Sequence, residues 1–185
     1  MTPDPTPLSA PAPASMGLGK GRYLIASLAV LVLDQWTKWL VNAHLPEHFP
    51  HPVIPGFFNL THVKNTGVAF GMFAESGRDG GAWLLTALGV AVLGFVAVYF
   101  WRLPGDHKLL QAALALILGG AVGNLIDRAA VGAVTDFIDL YYGSYHWHTF
   151  NIADSAITIG ICLIGWDTLR SLRRAPAEGA PEPAD

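Results

Sequence analysis

The chain has 185 residues, enough for about one domain. Charged residues are 14% of it, against about 25% in a typical soluble protein, while hydrophobic residues reach 52% and mean hydropathy is +0.39. The net charge of -3 is dispersed and leaves no basic face for nucleic acid. A single cysteine, Cys162 in an apolar run, excludes an intramolecular disulfide and a Cys/His zinc pattern, and reads as a small packing residue.

Residues 1–19 are rich in Pro, Ala and Ser and nearly uncharged, so they read as a disordered tail. The first basic residues, Lys20 and Arg22, come too late for a signal-peptide n-region. The first apolar run, residues 23–41, is about as long as the roughly 20 residues a bilayer crossing takes. No A-x-A-like cleavage site follows it, so it reads as a retained helix. Near its far end Asp34 and Lys38 are four apart with the acid first, a spacing that lets them pair on one face. Trp36 and Trp39 suit an interface belt.

In residues 42–81, Pro46, Pro50, Pro52 and Pro55 forbid a continuous helix. Residues 57–73, FFNLTHVKNTGVAFGMF, are rich in Phe, Val and Thr around a Lys64-Asn65-Thr66-Gly67 centre, and predict a β-hairpin turning there. Apolar runs follow at 82–101, 109–126 and 155–169. The first two carry no charge until Asp127, and the third has Asp167 near its end. Gly119 and Gly123 make a G-x-x-x-G face open to a close backbone. Residues 175–185 read as a second disordered tail, leaving 20–174 as one membrane domain.

The prediction is a membrane α-helical fold with four transmembrane helices and a small β-hairpin outside them. Four spans put both termini on one side. Lys20, Arg22, Arg102, Lys108, Arg170, Arg173 and Arg174 crowd that side, whereas the two longer loops hold only Lys64, Arg78 and Arg128. The positive-inside rule then makes the termini cytoplasmic and sends the hairpin and residues 124–154 outward.

That outer stretch holds Asp127, Asp136, Asp139 and Asp154. Ionisable groups at membrane level are costly and become functional candidates. Asp136 and Asp154 are read as an acid–base pair acting on a water, two carboxyls sharing one proton. Asp154 precedes the helix expected at 155–169, whose N-terminal N–H groups favour a negative charge. It is expected in the ionised role and Asp136 in the protonated one. Spacing alone leaves the alternatives open: Asp154 as a plain N-cap, Asp136 as a solvated loop acid, or Asp139 as the true partner. Arg128 can pair with Asp127 or with Asp34 across the bundle. His146 and His148 are two apart but lack a third ligand, and read as interfacial rather than as metal ligands.

DQWTK (34–38), VKNTGVAFGMF (63–73), GGAVGNLIDR (119–128), VTDFID (134–139) and FNIADSAITIG (150–160) resemble, in order and placement, the motifs of bacterial lipoprotein signal peptidase, also called signal peptidase II. The resemblance covers about residues 24–172. It implies an intramembrane aspartyl protease of four helices with a small extracytoplasmic β-sheet cradle, working without metal or organic cofactor in the bacterial inner membrane. Its implied partners are prolipoproteins carrying a diacylglyceryl cysteine, cut just before that residue, and membrane lipid. A monomer is expected, with no nucleic acid. Asp136 and Asp154 are the implied catalytic pair. Asn65 and Gly67 are implied in the substrate-facing hairpin, and Asp34 and Lys38 in the first motif. Asn124, Asp127, Arg128, Asn151 and Ala153 are implied to line or support the site. Thr135 stands where the family often has Val. The rival readings are a small transporter, which would need acids at mid-depth in the uncharged spans, and a serine or metal hydrolase, for which no triad or ligand set is visible.

Overall fold

The computed structural model describes residues 19–67 and 80–173, and only the backbone of residues 80–85. The expected tails therefore lie outside the described residues, apart from Gly19. So does the second arm of the hairpin expected at 57–73.

Helix α1 spans Gly21–His44, α2 Gly80–Arg102, α3 Lys108–Val131 and α4 Ile152–Leu172. Among the described residues, α1, α3 and α4 are each long and apolar enough to cross a membrane, and Thr86–Arg102 of α2 forms a shorter apolar stretch. Their outward surfaces carry large apolar side chains, including Ile25, Leu28 and Val32 on α1, Phe95 on α2 and Ile161 on α4. Apolar exposure on that scale fits lipid rather than water as the surrounding medium.

The central helix is α3, which packs against α1, α2 and α4. Its glycines allow this. A Cβ on Gly119 would stand 2.5 Å from the Ser27 carbonyl oxygen, and one on Gly123 would strike the Asp34 carboxylate. The G-x-x-x-G face is thus pressed on α1. At one end of the bundle Tyr23, Val96, Phe100, Leu103, Leu114, Ala115 and Ile117 form the apolar core. Lys20 closes that end, donating to the Phe100 and Trp101 carbonyls at the last turn of α2. Those carbonyls have no helical partner and carry the negative end of the helix dipole.

At the other end lies a four-stranded antiparallel sheet in the order β1-β2-β3-β4. Its strands are β1 (His51–Ile54), β2 (Phe58–Asn65), β3 (Val134–Tyr142) and β4 (Tyr145–His146). A described hairpin turns at residues 55–57, between β1 and β2, while the turn expected at 64–67 leads into residues outside the described ones. β1 carries Pro52 and is fully exposed, as an edge strand tolerates. Gly132 ends α3 with φ +74°, a left-handed cap that turns the chain straight into β3. The bundle therefore hands α3 directly to the strand bearing Asp136 and Asp139.

Candidate active site

Helix α4 begins earlier than its apolar run does. Its N-cap is Asn151, whose Oδ1 accepts from the Asp154 N–H at 2.9 Å, while the Asp154 Oδ2 accepts from the Asn151 N–H at 3.2 Å. This is a capping box, so Asp154 sits inside the first turn rather than ahead of the helix as expected. The other end of the same asparagine side chain faces β3. Its Nδ2 donates to Asp136 Oδ1 at 2.7 Å. One fully buried residue, Asn151, thus touches both carboxylates.

Each carboxylate has a second amide partner. Asn65 Nδ2 donates to Asp136 Oδ2 at 2.9 Å, and the Gly67 N–H holds the Asn65 Oδ1 at 2.8 Å, fixing which way that amide faces. Asn124 Nδ2 donates to Asp154 Oδ1 at 2.7 Å. Asp136 is only 1% exposed. Burial pushes its carboxyl up to about 6, the negative charge of Asp154 adds to this, and the Asn65 and Asn151 hydrogen bonds oppose it. A carboxyl so placed holds or releases a proton near neutral pH.

Beneath the pair is a buried ionic node. Lys38 Nζ lies 2.8 Å from Asp34 and 3.0 Å from Asp127, and donates to Asn124 Oδ1 at 2.8 Å. Asn124 passes this order on to Asp154. Asp34 Oδ1 also accepts from the Ala153 N–H at 2.9 Å, tying the start of α4 to α1. Asp127 also accepts from Gln35 Nε2 and from the Thr135 N–H, tying α3 to the start of β3. With two acids on one lysine, every carboxylate oxygen of the node has a donor, the condition under which buried charge is tolerated.

The structure thus brings together Asp34, Lys38, Asn65, Gly67, Asn124, Asp127, Asp136, Asn151, Ala153 and Asp154. Arg128 is the exception: its expected pairing with Asp127 or Asp34 is not made, because Lys38 and Gln35 occupy both acids, and its buried Nε has no hydrogen-bond partner. Asp139 is also placed apart. It accepts from Asn59 Nδ2 at 2.8 Å and faces His146 Nδ1 at 2.8 Å, on other partners than Asp136. Gln35, Asn59, Lys64 and Thr135 join the site as further hydrogen-bonding partners. Only the Gln35 position, beside Asp34 and one turn from Trp39, carries a sequence signal, and that signal is polarity inside an apolar run.

Beside Asp136 a cleft of about 410 Å³ opens, walled by Lys64 and Asn65 on one side and Trp147, His148 and Thr149 on the other. Thr135 Oγ1 accepts from Lys64 Nζ at 2.9 Å, and Lys64 also reaches Asn42 Oδ1 at the end of α1.

A family model described as signal peptidase (SPase) II matches residues 26–170. A lipoprotein signal peptidase of Solibacter usitatus is 46% identical over 153 residues, 83% of this chain and 93% of that one. Another, of Geobacter sulfurreducens, is 45% identical over 147 residues, 80% and 91% of the two chains. Two solved structures, each of a bacterial membrane enzyme, superpose with TM-scores of 0.75 and 0.73 at 30% and 32% identity, covering 86% and 80% of this chain and 94% and 93% of theirs. Four helices joined to a small antiparallel sheet, a buried polar site at the junction, and a family match across most of the length all agree: this chain belongs to the signal peptidase II family of membrane proteases.

Proposed function

We propose that the chain is an aspartyl endopeptidase that removes the signal peptide from diacylglyceryl-modified prolipoproteins, cutting on the N-terminal side of the lipidated cysteine. The observation that carries this reading is Asn151, whose side-chain Nδ2 donates to the Asp136 carboxylate and whose backbone N–H donates to that of Asp154, with Asp136 at the edge of an open cleft. The upward push on Asp136 supports its starting as the protonated member, and the N-terminus of α4 supports Asp154 as the ionised one.

In this mechanism the Asp154 carboxylate takes a proton from a water as its oxygen attacks the scissile carbonyl. Asp136 gives its proton to the carbonyl oxygen, producing a gem-diol. Collapse of the diol returns a proton to Asp136, and Asp154 protonates the departing nitrogen. The C–N bond breaks, leaving a carboxyl on the signal peptide and a free α-amine on the lipidated cysteine. The pair ends in its starting state, as general acid–base catalysis requires. No step calls on a metal.

The substrate is held in the bilayer by its acyl chains and its apolar signal helix, so the water-activating pair belongs at membrane level. The apolar helix faces accept the lipid, and Asn65, Asn124 and Asn151 satisfy the polar groups there. Within this reading residues 20–174 form one domain of four spans in the bacterial cytoplasmic membrane. Both termini are cytoplasmic and the sheet and dyad lie on the outer side. The protein acts as a monomer.

The test is cleavage of a diacylglyceryl prolipoprotein by the purified protein in lipid. Asp136→Asn and Asp154→Asn each lose roughly 10³-fold or more in turnover, while Asp139→Asn keeps cutting. Cutting by Asp136→Asn but not by Asp139→Asn would reassign the dyad. A wild type that does not cut this substrate would remove the reading.

A further inference from the structure

Asp139 is buried, titratable and unused by the chemistry above. It is 6% exposed and lies directly across from Asn59 in the β2–β3 register, accepting its amide at 2.8 Å. Its other oxygen meets His146 Nδ1 at 2.8 Å. His146 pairs with Tyr141 across the β3–β4 ladder, and the two rings stack with centroids 5.0 Å apart. A histidine held at one nitrogen by a buried acid and on one face by a ring has a fixed orientation.

What His146 fixes is the chain that follows. The Trp147 N–H donates to the Leu140 carbonyl at 2.8 Å, and Phe150 exchanges backbone hydrogen bonds with Ile138. Between those two anchors His148 and Thr149 leave the ladder, and with Trp147 they line the cleft together with Lys64 and Asn65. Directly after the Phe150 anchor comes Asn151, which donates to both proposed catalytic carboxylates. β4 itself is two residues long, too short to set the wall by backbone pairing alone. The Asp139 contact supplies the missing restraint.

We propose that Asp139, Asn59 and His146 form a clasp that positions the 147–149 wall of the cleft and so sets how tightly the peptide substrate is held. All three are positioning residues. The inference rests on the prolipoprotein-cleaving function proposed above and adds to it the determinant of substrate affinity. Because the clasp acts on the wall and not on the dyad, its loss weakens KM and spares kcat.

The experiment compares wild type with His146→Ala, His146→Asn and His146→Gln in steady-state cleavage of the diacylglyceryl prolipoprotein. An asparagine amide reaches the place of Nδ1, whereas a glutamine amide reaches that of Nε2. Losing one hydrogen bond to a charged group predicts a KM raised roughly tenfold in His146→Ala and His146→Gln, with kcat changed less than about twofold. His146→Asn brings KM back toward wild type. In an Asp136→Asn background, where turnover is expected to be roughly 10³-fold slower, binding of the uncut substrate weakens by the same factor on His146→Ala. That holds the inference to account even if the single variant turns over poorly. An unchanged KM, a loss confined to kcat, or His146→Asn behaving like His146→Ala would each overturn the clasp. A wild type without cleavage would instead overturn the function on which it rests.

Discussion

Two lysines are buried in this molecule, one at each end of the bundle, and they are used in opposite ways. Lys20, 8% exposed, is satisfied by neutral acceptors, the Phe100 and Trp101 carbonyls, and lies beside an apolar core. Lys38, 2% exposed, is satisfied by two carboxylates and an asparagine that themselves hold α3, α4 and β3. Removing Lys20 leaves dipoles without a cation. Removing Lys38 leaves two buried carboxylates without one. The first lysine fastens a helix end, whereas the second is the centre on which the polar site is assembled.

That contrast is broken or sharpened by substitution. Lys38→Met strands Asp34 and Asp127 and is expected to cost about 3–5 kcal/mol in thermal or denaturant unfolding in detergent, with cleavage abolished. If it melts no earlier than Lys20→Met, the contrast fails. Next is the pH dependence of Asp136→Asn. The folded-state carboxyl of Asp136 titrates at about 6, above its ordinary 3.8, so its contribution favours the fold at low pH and is lost as pH rises through about 6. Asp136→Asn should therefore melt higher than wild type at pH 7–8, by at most about 3 kcal/mol, with the gap closing below about pH 4. A gap that does not change with pH would contradict this.

A smaller effect is expected at the helix contact. Gly123→Ala drives a methyl into the Asp34 carboxylate and should destabilise by about 1–3 kcal/mol and lower cleavage. Gly94→Ala, where a Cβ meets nothing within 4 Å, should be neutral or stabilising. Equal melting temperatures for the two would mean that α3 does not press on the polar node. The smallest change is Lys20→Met, about 1 kcal/mol, with kcat/KM untouched in the folded fraction.

The helices were legible because lipid demands unbroken apolar runs, and the Asp34–Lys38 pair because it is local in sequence. The structure extends each run by a few residues into polar sequence, where hydropathy carries no signal. The start of α4 was misplaced for that reason: Asn151 and Asp154 are a capping box written with Asn and Asp, just ahead of the apolar run. β1 and β3 carry little strand signal in the sequence. β1 has Pro52 and no buried face, and β3 interrupts its apolar residues with Thr135, Asp136 and Asp139, whose partners come from β2 and α4. Motif resemblance named Asn124 and Asn151, but nothing in their spacing says that one reaches Asp154 and the other reaches both acids. The Arg128 pairing failed because a lysine four residues from Asp34 on its own helix competes better for that acid than an arginine on another helix.

The Asp34–Lys38 contact also bears on biogenesis. In the topology proposed above, the Lys38 end of α1 has to be translocated, and a lone lysine there would act as a retention signal. An acid one turn away on the same helix travels with it, so the segment crosses as an internally neutral unit before α3 has been made. Only later does Asp127 arrive and give the node its excess negative charge. Asp34→Asn should therefore reduce the fraction of molecules whose first loop reaches the outer side, measured by labelling a cysteine introduced into that loop. Asp127→Asn should leave that fraction unchanged. The same two acids that look equivalent around Lys38 in the finished fold would then be separated by the order in which the chain is made.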